Sequence, residues 1–327
     1  MSAALSAAVI VPAHNRPEAV ALSVRTLLEG RAQDDFEVVV VDDGSEPALA
    51  MPEAPGLRLV RTAGIERSRA RNLGVLSTRA DLVIFMDDDI SVGPDFVGAH
   101  RKAAEEFPNV IGVGAITLPE AMGQTPFGRF RRLIEDPDLR RPRGLMAEKN
   151  FCTAANMSIR RDRFLSLGGF DPAIVSSEDQ DLALRFCEHG GRLAFLPEAS
   201  ALHRDSNADI AAYCRRHEWG ARAVAPFLRR YPEREDSRAR LRFDPARRST
   251  LGDRAALAMR RLAAQAPCVR ALLGLTRVAE QAGLGDSQLF ALYRVLLGLH
   301  LFRGFRRGLS EVIVTPPLPL PLSDFSR

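Results

Sequence analysis

The sequence is poor in cysteine and in long apolar runs, and each shortage excludes a class of protein. Only four of its 327 residues are cysteines, and they form no C-x-x-C pair. Neither a zinc site nor a disulfide framework is therefore expected. The longest apolar segment, Leu289–Phe302, is broken by Arg294 and His300, so we expect no membrane-spanning helix. The N-terminus lacks the basic start of a secretory signal, and we expect a cytoplasmic protein.

Lysine is also scarce, so the positive charge is almost entirely arginine. Lys102 and Lys149 are the two lysines among 45 basic residues. Residues 1–214 hold 24 basic and 31 acidic side chains, whereas residues 215–310 hold 20 and 8. Arginine binds phosphate through a planar fork and keeps its charge. Because the sequence also turns helical after His203, we expect an α/β domain over residues 1–210 and an arginine-rich helical region over residues 211–327. The final PPLPLPL is expected to be polyproline II.

The first ninety residues alternate short β-branched runs with helical patterns, which is typical of βαβ units and a parallel sheet. AVIV, FEVVVV and DLVIFM are continuous apolar runs, as in strands that are buried on both faces. Between Thr117 and Lys149 weak periodicity predicts a mobile loop that closes over substrate. The other predicted elements are helices over Pro17–Glu29 and Glu66–Ser77, a strand over Ala154–Ile159, a serine-capped helix from Ser177 to Gly190, and a strand over Arg192–Phe195.

Each of the first three predicted strands is followed by a polar cluster. Because ligands bind beyond the carboxyl ends of strands in such sheets, we expect these clusters to converge. Asp87, Asp88 and Asp89 cannot be crowded together in ionised form without a counter-charge. Their oxygen atoms suit Mg²⁺ or Mn²⁺, which also takes ligands from a substrate diphosphate. A solvated acidic turn is the alternative interpretation of this triplet.

The remaining polar clusters each have a functional and a structural interpretation. The Asp42 and Asp43 carboxylates can accept hydrogen bonds from ribose or a base, but Asp and Gly are also ordinary turn residues. Arg71 can neutralise a phosphate or lie on a solvated helix face. Asp179 and its neighbour Glu178 fall in the first turn of a helix, where the helix dipole keeps a carboxylate ionised and a general base can be positioned. Acidic residues are also simply favoured in the first turns of helices.

Taken in order, the motifs VIVPAHN, VVVVDDGS, ARNLG, VIFMDDDI, AANMSIRRDRF, GGFD and SSEDQDLALR, with a later histidine, resemble family 2 of the inverting GT-A glycosyltransferases. The resemblance covers roughly residues 7–205. It implies an α/β GT-A fold with a Rossmann-like, mainly parallel sheet flanked by helices. It also implies a nucleotide-diphosphate-sugar donor, one divalent cation (Mn²⁺ or Mg²⁺), and a displacement that inverts the anomeric carbon.

The resemblance also implies roles for individual residues. Asp179 matches the catalytic base, and Glu178 supports it. Asp87 and Asp89 match the outer members of a D-x-D element at the ribose and the metal, and His203 matches a further metal ligand. Residues expected to hold the nucleotide sugar are Pro12, His14, Asp42, Asp43, Arg71, Asp87, Asp88 and Asn156. Many relatives carry tyrosine where His14 stands, which leaves the nucleotide open.

Two other functions remain open. A binding protein with the same fold would hold a nucleotide sugar without transferring it. A nucleotidyltransferase would carry a glycine-rich loop after the first strand, where this chain has PAHNRPE. We expect a glycan or lipid-linked acceptor and no nucleic acid. We also expect peripheral contact with the inner face of the cell membrane, because Arg303, Arg306 and Arg307 follow large apolar residues at helical spacing.

Overall fold

The computed structural model describes residues 5–31, 34–135, 141–149, 151–204, 209–234 and 250–311. The predicted polyproline tail lies outside these residues. Within the described residues, nine strands form one sheet. Eight of them follow the order β3-β2-β1-β4-β8-β6-β9-β5, and β7 pairs with β9. The strands are β1 (Ala7–Ala13), β2 (Glu37–Asp43), β3 (Leu57–Thr62), β4 (Leu82–Met86), β5 (Ile90–Val92), β6 (Val110–Thr117), β7 (Gly144–Leu145), β8 (Asn156–Arg160) and β9 (Arg192–His203).

Helices flank the sheet and continue beyond it. A short 3₁₀ helix covers Glu120–Gln124. The α-helices are α1 (Pro17–Gly30), α2 (Arg67–Leu76), α3 (Phe96–Glu106), α4 (Pro126–Glu135), α5 (Arg161–Ser166), α6 (Glu178–Glu188), α7 (Ile210–Ala223), α8 (Ala225–Arg230), α9 (Leu251–Ala263), α10 (Ala266–Gln281) and α11 (Asp286–Ser310).

Strands β3, β2, β1 and β4 are all parallel, as the alternating sequence pattern predicts. Their apolar runs are buried on both faces. Successive residues of β2, such as Val38 and Val39, belong to separate hydrophobic clusters on opposite sides of the sheet. Helix α1 packs on one side through Val20 and Val24, and α2 packs on the other. The α/β fold with helices on both faces is thereby confirmed.

The second half of the sheet is mixed. Strand β8 lies between β4 and β6 and is antiparallel to both, whereas β6 and β9 are parallel. Strand β9 continues well past the predicted end and reaches His203. There it pairs with β5, so that Ile90 lies opposite His203. This pairing brings His203 next to the residues that follow β4.

The prediction of a mobile loop between Thr117 and Lys149 is wrong for the described residues. They contain the 3₁₀ helix, α4 and β7. Phe127 and Phe130 of α4 are buried, and their rings pack edge-on or tilted against Tyr213 and Tyr293 from the C-terminal helices. The aromatic pair supplies the apolar face of an amphipathic helix, which stabilises the segment through tertiary contacts.

The C-terminal region is helical, as predicted, and its hydrophobic clusters include residues from the sheet-bearing part. Leu184 of α6, for example, packs in one cluster with Phe227 and Leu309. The predicted boundary at residue 210 coincides with the start of α7 at Ile210. The division into two domains stays a prediction, since buried contacts cross that boundary.

Part of the segment expected to contact the membrane packs inside the protein, and membrane contact itself stays a prediction. Leu296 and Phe302 are buried within the protein, and the guanidinium groups of Arg303 and Arg307 lie 3.3 and 3.2 Å from Glu218 of α7. Helical spacing alone cannot distinguish a lipid-facing stripe from one that packs on a neighbouring helix. Among the described residues, no helix combines the length and apolarity required to cross a bilayer.

Candidate active site

A cleft of about 530 Å³ lies at the carboxyl ends of β1, β2 and β4. The parallel arrangement of these strands places the residues after each strand at the same edge of the sheet. The predicted convergence of the polar clusters is therefore present in the structure. The cleft is lined by Pro12, Ala13, His14, Arg16, Asp43, Arg67, Asp87, Asp88, Asp89, Ile116, Thr153, Ala155, His203 and Arg216.

His14 and Asp43 form the side of the cleft above β1 and β2. The Nδ1 atom of His14 donates to the carbonyl oxygen of Asp43 at 2.7 Å, which holds the imidazole against the end of β2. One carboxylate oxygen of Asp43 accepts from Thr62 Oγ1 and from the Ile65 backbone N–H, both at 2.6 Å. His14 and Asp43 both line the cleft, so the His14 ring and the second carboxylate oxygen of Asp43 can face a ligand.

Asp42 has a different position from the one predicted. Its side chain is fully buried, and its two carboxylate oxygens accept from the backbone N–H groups of Ser45 and Leu49 at 2.9 and 3.1 Å. Burial alone would raise the pKa of Asp42, but these hydrogen bonds and Arg61 outweigh it and lower the pKa. Asp42 thus shapes the loop after β2, whereas Asp43 is the residue that lines the cleft.

Two of the three carboxylates in the acidic triplet after β4 pair with Arg16. Arg16 Nη1 lies 3.2 Å from Asp88 Oδ1 and 2.8 Å from Asp89 Oδ2. Burial raises the pKa of Asp88 to about 6 despite the attraction of Arg16. For Asp89, burial also acts to raise the pKa, but His203 and Arg16 outweigh it and the pKa is lowered. Arg16 supplies the counter-charge that the sequence requires at this triplet.

The expected metal ligands are close together but do not form a complete protein site. His203 Nε2 is 3.4 Å from Asp89 Oδ1, and Asp87 lines the same cleft. Among the described residues, no three His, Cys, Asp or Glu side chains form a ready-made metal cage. This donor set fits a cation that takes its remaining ligands from water and a diphosphate, as Mg²⁺ does in nucleotide sites. The imidazole of His203 also suits Mn²⁺.

Arg71 is a buried bridge, which corrects its predicted contact with the nucleotide. Its Nη2 lies 2.6 Å from Asp87 Oδ1 and its Nη1 lies 2.7 Å from Glu178 Oε1. The side chain is 1% exposed, and Phe170 lies against its guanidinium. Burial alone would lower the pKa of Arg71, but the two carboxylates outweigh it and raise the pKa. Arg71 therefore joins the acidic triplet to the start of α6.

Arg67, one turn earlier on α2, has the exposure that a ligand contact requires. Its side chain is 48% exposed, lines the cleft and lies 3.5 Å from Glu178. The segment RSRAR contains three alternating arginines, of which the sequence pattern favours Arg71 for the nucleotide. Arg67 and Arg71 lie on the same face of α2, one turn apart, and Arg67 is the one that reaches the cleft while Arg71 is buried.

Glu178 and Asp179 begin α6, as predicted, but the serine cap is absent. Ser177 has a left-handed backbone conformation (φ 70°) and its side chain makes no capping hydrogen bond. Asp179 Oδ2 instead accepts from the Ala154 backbone N–H at 3.1 Å, between the cleft residues Thr153 and Ala155. Burial, reinforced by the charge of Glu178, raises the pKa of Asp179 to about 6. A carboxylate with this pKa is still mostly ionised at neutral pH.

Asn156 belongs to the scaffold, which corrects its predicted contact with the sugar. Its side chain is completely buried, and its Nδ2 donates to the carbonyl oxygens of Ala115 and Ala199 at 3.0 and 2.8 Å. Its Oδ1 accepts from His100 Nε2 at 2.9 Å. Burial lowers the pKa of His100 to about 4. This neutral network connects β8 with β6 and β9 beneath the cleft.

The sequence analysis missed Arg16 and Arg216 as cleft residues. Arg16 directly follows the predicted cluster at the end of β1, so its position was a usable signal. Arg216 lies on α7, in the arginine-rich region that the sequence pattern assigned to a separate part of the chain. The fold brings Arg216 to the cleft although it lies far along the sequence from most of the other lining residues.

Comparison with known proteins agrees with this arrangement. Residues 8–167 match the model of Glycosyl transferase family 2. An uncharacterized glycosyltransferase, YfnE of Bacillus subtilis (strain 168), is 25% identical, with 64% of this chain and 70% of that protein covered. The pre-mycofactocin glycosyltransferase of Mycobacterium tuberculosis is 26% identical, with 69% of this chain covered. The chain spans about half (48%) of that relative's length.

Among solved structures, the mannosyltransferase PcManGT from Pyrobaculum calidifontis, in complex with GDP-Man and Mn²⁺, is 18% identical. The match covers 88% of this chain and 86% of that chain, with a TM-score of 0.49. The matched segment 8–167 contains the strands that end at the cleft and the acidic triplet itself. The chain is thus similar to the glycosyltransferases of family 2, over the segment that carries most of the cleft residues.

Proposed function

We propose that the protein transfers a sugar from a nucleotide-diphosphate-sugar to an acceptor hydroxyl, with inversion at the anomeric carbon. One observation carries the proposal. A single cleft is lined by the acidic triplet, His203 and three arginines, and Asp179 is hydrogen-bonded to the backbone of its wall. The cleft thus offers sites for a cation, a diphosphate and a proton acceptor. The acceptor substrate is proposed to be a glycan or a lipid-linked hydroxyl.

The donor is proposed to lie across the ends of β1, β2 and β4. The imidazole of His14 and the carboxylate of Asp43 face the nucleoside, beside Pro12. Arg67 and Arg16 lie farther along the cleft, where a diphosphate would pass. Arginine forms two-pronged, charge-assisted hydrogen bonds with phosphate oxygens, which are about twice as strong as neutral ones. These groups orient the donor and stabilise negative charge on the leaving diphosphate.

A divalent cation is proposed to bind Asp87, Asp89 and His203. When bound, it would act as a Lewis acid that stabilises the departing diphosphate. Arg16 neutralises Asp88 and Asp89 in the structure. Binding of a cation to Asp89 would release Arg16 from part of this pairing, which makes its guanidinium available to a phosphate oxygen.

Asp179 is proposed to take the proton from the acceptor hydroxyl. A general base works best when its pKa is close to the working pH, and burial raises the pKa of Asp179 to about 6. Its Oδ1 accepts from the Gln180 backbone N–H and its Oδ2 from that of Ala154. These two bonds fix the plane of the carboxylate. Glu178, held by Arg71, maintains the negative charge beside it.

Two alternatives are weaker. A protein that only binds nucleotide sugars has no need for a carboxylate whose pKa is raised to about 6 beside the binding cleft. A nucleotidyltransferase needs a flexible phosphate-binding loop after its first strand. Here His14 and Asn15 follow β1 and are hydrogen-bonded to the loop after β2.

A thermal-shift screen of nucleoside diphosphates, with and without Mn²⁺, tests the donor site. A ligand at about 100 times its Kd stabilises the fold by roughly 2.7 kcal/mol. One nucleotide class should raise the melting temperature, and it should do so more strongly with Mn²⁺. The matching nucleotide sugar should then release nucleoside diphosphate. Binding without any release would favour the binding protein, and release of inorganic pyrophosphate from a nucleoside triphosphate would favour the nucleotidyltransferase.

A further inference from the structure

Helix α9 exposes an apolar face to solvent, whereas a surface helix normally packs its apolar face against the core. Met259 and Leu262 are 69% and 64% exposed, and Leu251 at the first turn is also exposed. Their spacing places them on one side of the helix. On the opposite side, Arg260 lines a groove whose other residues belong to α11. Ala264, directly after the end of α9, is buried. The inward side of α9 is therefore already in contact with the protein, and the apolar side is the outer one.

Helix α10 repeats this arrangement. Leu275 and Val278 are 56% and 61% exposed, and Cys268 lies on the same side two turns earlier. Val269, Thr276 and Ala279 are buried and mark the side that packs on the protein. The two helices are consecutive in the chain, and each presents large apolar residues to solvent. Exposed apolar surface of this kind marks an interaction site in soluble proteins.

Arginines accompany both apolar faces at the same spacing. Arg254 and Arg261 flank the face of α9, and Arg270 and Arg277 flank that of α10; each pair is separated by seven residues, or two helical turns. All four side chains belong to exposed residues. An apolar face edged by arginines is typical of helices that lie in the interface of a lipid bilayer.

Arginines outnumber the acidic residues of this region, and three of the four acidic residues have other partners; the fourth, Asp253, precedes Arg254 in the sequence of α9. Residues 250–311 contain nine arginines and four acidic residues. Glu280 accepts from the Tyr293 hydroxyl at 2.6 Å, Asp286 pairs with Arg129, and Glu311 pairs with Arg222. The outward side of α9 and α10 therefore combines exposed apolar residues with positive charge.

We propose that the outward faces of α9 and α10 dock on an anionic lipid bilayer. The apolar residues Met259, Leu262, Leu275 and Val278 would enter the boundary between headgroups and acyl chains, and the four flanking arginines would contact anionic headgroups. A second copy of the chain is a less favourable binding partner. If the same faces of two copies packed together, their arginines would repel one another. This surface is distinct from the α11 stripe predicted from the sequence, and the proposal is independent of the catalytic reaction.

Co-sedimentation of the full chain with lipid vesicles tests the proposal. The probes are vesicles of phosphatidylcholine alone and vesicles of phosphatidylcholine mixed with phosphatidylglycerol, at low and high salt. We expect the protein to bind the anionic vesicles at low salt and to be released by high salt. Replacing Arg254 and Arg261 with Gln should weaken binding about 30-fold, since each arginine near an anionic surface contributes about a fivefold factor.

The double variant Met259→Glu with Leu262→Glu should weaken binding by about 100-fold, because two apolar side chains no longer enter the bilayer. The control variant Leu133→Glu with Ile134→Glu adds the same charges to exposed positions of α4 and should bind like the parent protein. Both variants should keep the parent melting temperature, since the changed side chains are exposed.

Four results would overturn the proposal. The first is no sedimentation of the parent protein with anionic vesicles at low salt. The second is equal binding to neutral and anionic vesicles. The third is parent-like binding of anionic vesicles by the Met259→Glu, Leu262→Glu variant. The fourth is a parent protein that is dimeric by light scattering and a Met259→Glu, Leu262→Glu variant that is monomeric. This result would assign the outward faces of α9 and α10 to self-association.

Discussion

Arg71 Nη1 donates a 2.7 Å hydrogen bond to Glu178 Oε1, although the two residues are 107 positions apart in the sequence. The other end of the same guanidinium reaches Asp87. One buried side chain therefore connects the acidic triplet after β4 to the first turn of α6. In the proposed reaction these are the cation site and the general base, so Arg71 fixes the distance between them.

Replacing Arg71 with Ala should destabilise the fold. Removal of one partner from a buried ion pair typically costs about 3–5 kcal/mol, because the remaining charge is left uncompensated. Chemical denaturation should show this loss in the free energy of unfolding. Arg69→Ala is the matched control, since Arg69 is an exposed residue on the same helix. Equal stability of the two variants would contradict the bridging role of Arg71.

Arg67 and Arg69 provide a second matched pair, for donor binding. A charge-assisted hydrogen bond contributes about 1.5–3 kcal/mol. Arg67→Gln should therefore weaken binding of the nucleotide sugar by at least about tenfold, whereas Arg69→Gln should leave it unchanged. Isothermal titration with the donor identified by thermal shift gives both constants. If Arg67→Gln binds donor as tightly as the parent protein, the diphosphate does not contact this residue.

Asp89→Ala should remove the metal dependence of donor binding while the protein stays folded. Asp89 contributes a carboxylate oxygen 3.4 Å from His203 and lies in the cleft rather than in the core. The measurement is the melting temperature with nucleoside diphosphate, with and without Mn²⁺. The parent protein should gain stability from Mn²⁺, and the variant should not. An Mn²⁺ effect of full size in the variant would exclude Asp89 as a ligand.

The sequence predicts the parallel half of the sheet well, because each of its three buried strands is a continuous apolar run followed by polar residues. Strand β4, for example, begins and ends where the LVIFM run does. The edge strand β3 gave a weaker signal, since half of its residues are exposed. Helix α4 was missed because its stabilising partners, Tyr213 and Tyr293, lie far away in the sequence.

The candidate site could be located from the sequence, but the direction of each side chain could not. The motif DDGS does not indicate that Asp42 turns inward to accept from Ser45 and Leu49 while Asp43 faces the cleft. In the same way, the sequence does not indicate that Arg67 lines the cleft while Arg71 is buried, or that the Asn156 amide bonds to backbone carbonyls inside the protein. Tertiary packing decides which member of a polar cluster meets the ligand and which one supports the scaffold.

The central claim is that Asp179 acts as general base in an inverting transfer, and the most direct test is the pH dependence of nucleoside diphosphate release in the presence of acceptor. Burial raises the pKa of Asp179 to about 6, and the ionised form is the active one. The rate should therefore rise with pH through about 6 and level off above it, with roughly a tenth of the maximum one unit lower. Asp179→Asn should bind donor normally and lose this pH-dependent rate. A rate that stays constant between about pH 5 and 8, or an Asp179→Asn variant with parent-like transfer, would contradict the account.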